Sequence, residues 1–415
     1  MPRPFFIYEY TLTMHLMVLD PGHFHATLLQ KDMYPDLASR VSVYSPLGPE
    51  LLDYLTRISL FNSRPANPTH WDLDIHCTRH SLDEMLKDRA GDIVTFTGRN
   101  RGRIDRMLPA ISAGLHVLAD KPWIISSSDM PKLEQALDSA ESRHVAAYDI
   151  MTERYEVTSE LQRELVNTPE IFGEPVNVVA KSIHHLMKVV AGVPLRRPSW
   201  FFDIVEYGEG LADVGTHVVD LVQWTLLPDQ VFDYRKDVQV LEGRRWPLTL
   251  SPEQYRKVTG EAGPALDYYC NNAVHYTLRG VPVKIDILWN WEAPAGSGDV
   301  YEAAFRGTRA SVEIRQGAAE KFVPEVYVVP ATAALRKKVD ELQAHWPGLA
   351  IEQTGNEARL VIPDKFRVGH EAHFAQVARR FFDYVKDPKS LPAWERSYML
   401  AKYYVSTRGV ELANQ

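Results

Sequence analysis

Cysteine is nearly missing from this 415-residue chain: Cys77 and Cys270 are the whole supply. That excludes a disulfide framework and a cysteine-rich metal site and fits a reducing, cytoplasmic compartment; both residues read as core. Missing too is any apolar run approaching the roughly 20 residues that a membrane span needs. The apolar start, MPRPFFIYEYTLTMHLMVLD, is interrupted by Glu9 and followed by no small-residue cleavage site, so neither a membrane anchor nor a secretion signal is expected. Residues 1–13, ahead of the first good strand, read as a peripheral extension. Nor is there an excess of one charge sign. The net charge of -8 is spread over interspersed acids and bases, which argues against nucleic acid as a partner and for small-molecule work. No internal repeat or low-complexity tract is present.

What remains is a globular composition, 45% apolar and 24% charged, in a chain long enough for two domains. The first third alternates short apolar runs with helical patterns, the signature of parallel βαβ units. Strands are expected to end at Asp20, Ser45, near Cys77, and at Gly98, Lys121 and Asp149, with helices in SLDEMLKDRA, RIDRMLPAISAG and SDMPKLEQALDSAESR. This is an α/β, doubly wound (Rossmann-type) domain over 1–150. Residues 46–71, rich in Pro, Asn and Ser, read as a long loop insertion. From about Phe172 the runs EPVNVVAKSIHH, NAVHYTLRGVPVKIDILWNW, YEAAFRG and ASVEIRQ alternate as antiparallel strands do. With one internal helix around GLADVGTHVVDLVQWTL and two closing helices, residues 151–415 form an α+β domain with a mostly antiparallel sheet.

Three constellations carry candidate chemistry. The turn after the first strand, DPGHFHATLLQ, stands where a dinucleotide site wants glycines that let backbone N–H groups approach the pyrophosphate. Only Gly22 remains, with Asp20 and His25 at the other two positions. No acidic residue closes the second strand, where Ser45 and Pro46 stand, so NAD and NADP both stay open. Next, HVLADKPW puts Lys121 at the carboxyl end of a parallel strand, where sheets of this class bind ligands; a plain surface lysine is the alternative. In GEGLADVGTHVVD, Asp213 and His217 lie four apart and share a face if helical, so that a carboxylate can orient or protonate an imidazole. Satisfied core polar groups are the alternative there.

Taken in order, these residues resemble the Gfo/Idh/MocA family of glucose-fructose oxidoreductases and inositol dehydrogenases. Its members carry a first-strand glycine turn, a strand-end Glu-Lys-Pro (here Asp120-Lys121-Pro122) and an Asp-x-Gly-x-His helix (here Asp213 to His217) in a C-terminal α+β domain. The likeness in motif order runs to about residue 225. DPGHFHA, FNSRPANPTHW, LADKPW, HHLMKVVAGVPLRRPSWFFD and GHEAHFAQV are similar to a subgroup with a distinctive C-terminal domain. The resemblance implies NAD or NADP as cofactor, with Lys121 near the substrate hydroxyl and the nicotinamide. It implies His217 as general acid/base with Asp213 beside it, and Gly22, His23 and Phe24 against the pyrophosphate. Ser45, Thr97, Gly98, Asn100 and Asp120 would flank the cofactor. The implied activity is hydride transfer between nicotinamide and a secondary hydroxyl of a sugar, cyclitol or glycoside.

A basic and aromatic cluster, His184, His185, Lys188, Arg196, Arg197 and Trp200, follows the first strand of the second domain. Its cations and imidazoles suit hydroxyl or carboxylate oxygens and Trp200 a ring face; a solvated loop is the alternative. His370 and His373 fall one residue short of zinc-helix spacing, and His23 and His25 are two apart, so no metal is expected. Two rival functions use the same residues: a redox-neutral, NAD-dependent glycoside hydrolase or lyase, and a non-catalytic sugar or nucleotide sensor. The depleted glycine turn favours the sensor; retention of Lys121 and His217 speaks against it. The apolar run VKIDILWNW reads as a surface for a homo-oligomer, a dimer or tetramer.

Overall fold

The computed structural model describes residues 13–190 and 193–415; apart from Thr13, the expected N-terminal extension lies outside the described residues. In the first sheet β1 (Met14–Leu19), β2 (Leu37–Ser45), β3 (Asp72–Cys77), β4 (Ile93–Phe96), β5 (His116–Ala119) and β6 (Ala147–Asp149) all run parallel, in the order β3-β2-β1-β4-β5-β6. β1 is apolar on both sides, as a sheet covered on both faces requires. Met17 and Leu19 enter one core, Met14, Leu16 and Val18 the other. The strand order reverses between β1 and β4, so connections leave in opposite directions and a crevice opens at the carboxyl ends.

Helices Ser81–Asp88, Arg103–Ser112 and Met130–Arg143 bury Met85, Met107, Ile111 and Leu133 in the first of these cores. The other face is covered differently. The helix after β1 is a single turn, His25–Leu28, and Pro49–Ser63 together with the distant His370–Lys386 supplies the cover. Phe374, Val377, Ala378, Phe381 and Phe382 of the latter pack with Leu16, Val41 and Tyr54. The Pro49–Ser63 helix corrects the loop expected over 46–71. Gly48 is its N-cap, Pro49 and Glu50 open it, and Leu51, Tyr54, Ile58 and Phe61 give it a buried face. The turn-forming residues sit at its two ends. Cys77, at the edge strand β3, is exposed rather than core, whereas Cys270 is buried.

Of the later strands, β8 (Val189–Val190) and β9 (Val193–Pro194) form a small ribbon. The others are β7 (Pro175–Met187), β10 (Val238–Leu250), β11 (Leu266–Leu278), β12 (Val281–Glu292), β13 (Val300–Gly307), β14 (Ser311–Arg315), β15 (Glu325–Val329), β16 (Ala350–Thr354) and β17 (Glu357–Val361). They make a nine-stranded sheet ordered β10-β11-β12-β7-β13-β14-β15-β17-β16. β12 and β7 pair in parallel and the rest antiparallel. Helices Gly215–Leu226 and Ala393–Ala413 lie on one face. The run expected as a partner surface is β12, and its alternation turns Val283, Ile285, Ile287 and Trp289 inward, all at 4% exposure or less. That apolar surface is spent in the core.

Candidate active site

Lys121, two residues past β5, meets Asp213 across 92 positions of sequence in a buried ion pair. The helix begins at Gly215, so Asp213 precedes it and does not share a helical face with His217 as the spacing suggested. The backbone ahead of the helix is pinned instead. The Leu211 N–H donates to Asn272 Oδ1 at 2.8 Å, and Gly210 lies so close to β11 that a Cβ there would stand 1.9 Å from the Cys270 carbonyl oxygen. Pinned this way, Asp213 turns to the Lys121 ammonium. His217 sits in the first turn of the helix with Nδ1 buried and, among the described residues, without a hydrogen-bond partner. Burial, then the charges of Lys121 and His370, push its imidazole well below the usual value, so the ring is uncharged at neutral pH.

These three residues line one cavity of about 630 Å³. His184, Lys188 and Arg197 line it too, with His23, Phe24, Glu153, Asp299 and His370. Asp299, which no motif marks, organises the substrate-side cluster. Its Oδ2 accepts from Lys188 Nζ at 2.9 Å and lies 3.1 Å from His184 Nδ1, while Oδ1 accepts from the His185 N–H at 3.0 Å. Burial alone would raise its carboxyl, but the His184 and Lys188 charges outweigh that and hold it far below the carboxylate range. Strand pairing carries the signal: Val300 opposes Ile183 across β13 and β7, so the residue before Val300 falls beside His184. Glu153 and Glu156 are further lining residues without a sequence mark. Burial raises both, Glu156 to about 7, with the neighbouring Glu153 adding to the shift of Glu156. His185 is buried behind its Asp299 contact and outside the lining. Arg197 is buried, donating to the carbonyls of Leu186 and His185 at 3.1 Å each, with its guanidinium over Phe201 and Trp289.

The other candidates gather at the crevice between β1 and β4. A Cβ on Gly22 would meet Gly98 Cα at 3.1 Å and the Trp200 ring at 3.3 Å, and one on Gly98 would meet the Asp20 carbonyl oxygen at 2.7 Å. Gly98 therefore excludes a side chain, and Gly22 would take one only if the Gly98 backbone or the Trp200 ring gave by a few tenths of an ångström. Asp20, where the fingerprint has glycine, keeps a left-handed backbone with φ 44°, a conformation aspartate tolerates better than most residues. Asp20 Oδ1 and Thr97 Oγ1 are buried polar atoms with no partner among the described residues, donors and acceptors left for a ligand. Arg103 ties the strand ends together, donating to the carbonyls of Asp120, Pro122 and Gly98. Asp120 receives His25 Nδ1 at 2.9 Å and has His23 Nδ1 at 3.1 Å. Against the opposing effect of burial, those two rings hold its carboxyl well below the usual range.

Four residues stand elsewhere than the sequence placed them. Trp200 lies on Gly22, under the Arg99 guanidinium, with Nε1 donating to Glu50 Oε1 at 3.0 Å. It walls the crevice and is not part of the cavity lining. Asn100 donates to the Tyr207 carbonyl at 2.6 Å and so joins the two halves of the chain. Ser45 Oγ is turned to the Pro46 carbonyl at 3.2 Å, and Arg196 is exposed. A glycine cradle with unpaired polar atoms at the switch point, opening beside a buried lysine, fits the pyrophosphate-to-nicotinamide portion of a dinucleotide.

Residues 161–414 match the family described as "Putative oxidoreductase C terminal domain". No curated protein matches the chain. Among solved structures, a "putative oxidoreductase" from Parabacteroides merdae is 38% identical, with 97% of this chain and 98% of that one covered at a TM-score of 0.93. GenD2 from gentamicin A biosynthesis, solved in complex with NAD, is 17% identical over 97% of this chain and 94% of its own, at 0.60. The myo-inositol 2-dehydrogenase of Lactobacillus plantarum is 11% identical over 97% of each chain, at 0.59. The last two show a shared fold. The matched C-terminal domain and the Parabacteroides relative place this chain in the Gfo/Idh/MocA family of oxidoreductases.

Proposed function

We propose that the protein transfers a hydride between NAD or NADP and a secondary hydroxyl of a sugar, cyclitol or glycoside. The observation that carries this reading is the convergence of Lys121, Asp213 and His217 on one cavity beside the glycine cradle. Solved relatives of the same fold include an NAD complex and an inositol dehydrogenase, which supports it. Gly22, His23, Phe24, Thr97, Gly98 and Asp120 would hold the dinucleotide, with Trp200 as its outer wall. When bound, the nicotinamide supplies the hydride acceptor or donor.

The protein's own part is to place the hydroxyl and manage its proton. His217, uncharged through burial, accepts the proton as oxidation proceeds and returns it in the reverse direction. Lys121, fixed by Asp213, donates to the carbinol oxygen and stabilises the negative charge that grows there. The Asp299 cluster and the raised carboxyls of Glu153 and Glu156 present donors and acceptors on the opposite wall, as a polyhydroxyl substrate needs. The reading includes a cytoplasmic site of action and self-association through the open face of the nine-stranded sheet, where Val179 and Trp246 are exposed.

The same two glutamates favour a second reading. A carboxyl raised as that of Glu156 is, to about 7, suits a general acid for a departing glycosidic oxygen, and in that case the cofactor would be regenerated in each cycle. Incubation with a panel of sugars and p-nitrophenyl glycosides separates the two. Accumulating reduced nicotinamide supports the dehydrogenase; nitrophenol release with none accumulating overturns it in favour of the hydrolase.

A further inference from the structure

His23 and His25 follow Gly22 in the crevice turn, and Asp120 reaches them from the end of β5, 95 positions after His25. His25 Nδ1 and Asp120 Oδ1 make a hydrogen bond at 2.9 Å. The second contact is different. His23 Nδ1 is buried and lies 3.1 Å from Asp120 Oδ2, yet among the described residues it has no aligned hydrogen-bond partner. An imidazole nitrogen at bonding distance from a carboxylate, without the alignment of a hydrogen bond, is what two ligands of one ion look like. One ligand atom from each of the three residues falls within a common 4.8 Å span. Tetrahedral ligands at about 2.0–2.2 Å from an ion stand about 3.3–3.6 Å apart, inside that span.

Donor chemistry narrows the ion. Two imidazoles and one carboxylate suit Zn²⁺ or a first-row neighbour, whereas Ca²⁺ and Mg²⁺ want an all-oxygen shell. Three protein ligands leave a coordination position free, and His23 and His25 both line the cavity. The His370 ring stacks on His25 with centroids 5.3 Å apart and closes one side of the cluster.

We propose that His23, His25 and Asp120 bind a divalent transition-metal ion whose open position faces the cavity shared with Lys121 and His217. Sequence spacing hid the site, because two histidines two apart say little until a carboxylate arrives from another strand. An ion there offers its open position to an oxygen of the dinucleotide that His23 and Asp120 would hold, or of the substrate, so recognition at this wall goes beyond hydrogen bonding. The inference does not rest on the hydride-transfer reading.

The test uses the untagged full-length protein, stripped with a chelator and dialysed. It is titrated calorimetrically with Zn²⁺, and with Co²⁺ while visible absorption is followed. The expected result is one ion per chain, low-symmetry Co²⁺ bands, and affinity at least tenfold weaker in His23→Gln and in Asp120→Asn. His80→Ala, at an exposed histidine, should bind as the wild type does. His23→Gln lies at the cavity surface and keeps the test valid if Asp120→Asn does not fold. No binding by the wild type, or unchanged affinity in folded His23→Gln, overturns the proposal.

Discussion

Lys121 and Asp213 are 6% and 2% exposed, so each depends on the other: removing one partner leaves a buried charge uncompensated, at a cost of about 3–5 kcal/mol. Lys121→Ala should therefore lower thermal stability as well as turnover, and the double variant Lys121→Ala/Asp213→Asn should regain stability without regaining activity. Calorimetry alongside kinetics separates the two effects. For His217 the sign of the pH effect follows from its environment. Burial and the Lys121 charge hold the imidazole below its ordinary value, so the uncharged base persists on the acid side of about 6.5. kcat/KM should stay flat from pH 7 through that value and fall only below it. A limb centred near 6.5 would contradict the assignment, and His217→Gln should remove the limb while lowering kcat by about 10²–10⁴. On the opposite wall, Asp299→Asn releases Lys188 and His184 and should raise KM more than it lowers kcat. At this scale the sequence showed Lys121 and His217 through motif and strand position. It did not show the partner of Asp213, because the turn geometry that redirects the carboxylate is set by Gly210 against β11, a contact no spacing records.

Among the elements, the His370–Lys386 helix does two jobs. Its body closes the first sheet through Phe374, Val377 and Phe381, and its start brings His370 to the cavity. Phe381 is fully buried, and Phe381→Ala should cost about 3–5 kcal/mol, read as a fall in the denaturation midpoint. His373 in the same helix is buried and its imidazole pushed down to about 4. The unfolded chain binds that proton near 6.5, so between about 6.5 and 4 the unfolded state holds more protons and this group costs stability as pH falls. Glu156, raised to about 7, acts oppositely, gaining its proton first in the folded state. The difference between wild type and His373→Gln isolates the histidine: wild type should lose stability to acid faster, and parallel curves would contradict this. The amphipathic pattern of the helix was legible, but not the sheet it covers. That partner follows from the single-turn helix after β1, which leaves a face open. Pro49–Ser63 was unreadable for another reason: the residues that mark loops stand at both its ends and mask the buried 51, 54, 58, 61 series.

For the whole molecule, these contacts mean that the two halves do not divide cleanly near residue 150. The first sheet lacks part of its cover until residues 370–386 arrive, and Asp149 of β6 is bound by Lys402 at 2.8 Å in the closing helix. A fragment of residues 13–150 should therefore show no cooperative unfolding. The claim that all of this serves hydride transfer is tested most directly by titrating purified wild type and Lys121→Ala with NAD(H) and NADP(H), with nicotinamide fluorescence followed by sugar-dependent change in reduced-nicotinamide absorbance. The account predicts that both proteins bind one of the cofactors at micromolar strength and that only the wild type reduces it with a sugar, cyclitol or glycoside. If neither cofactor binds the wild type, the glycine cradle is no dinucleotide site and the redox assignment falls.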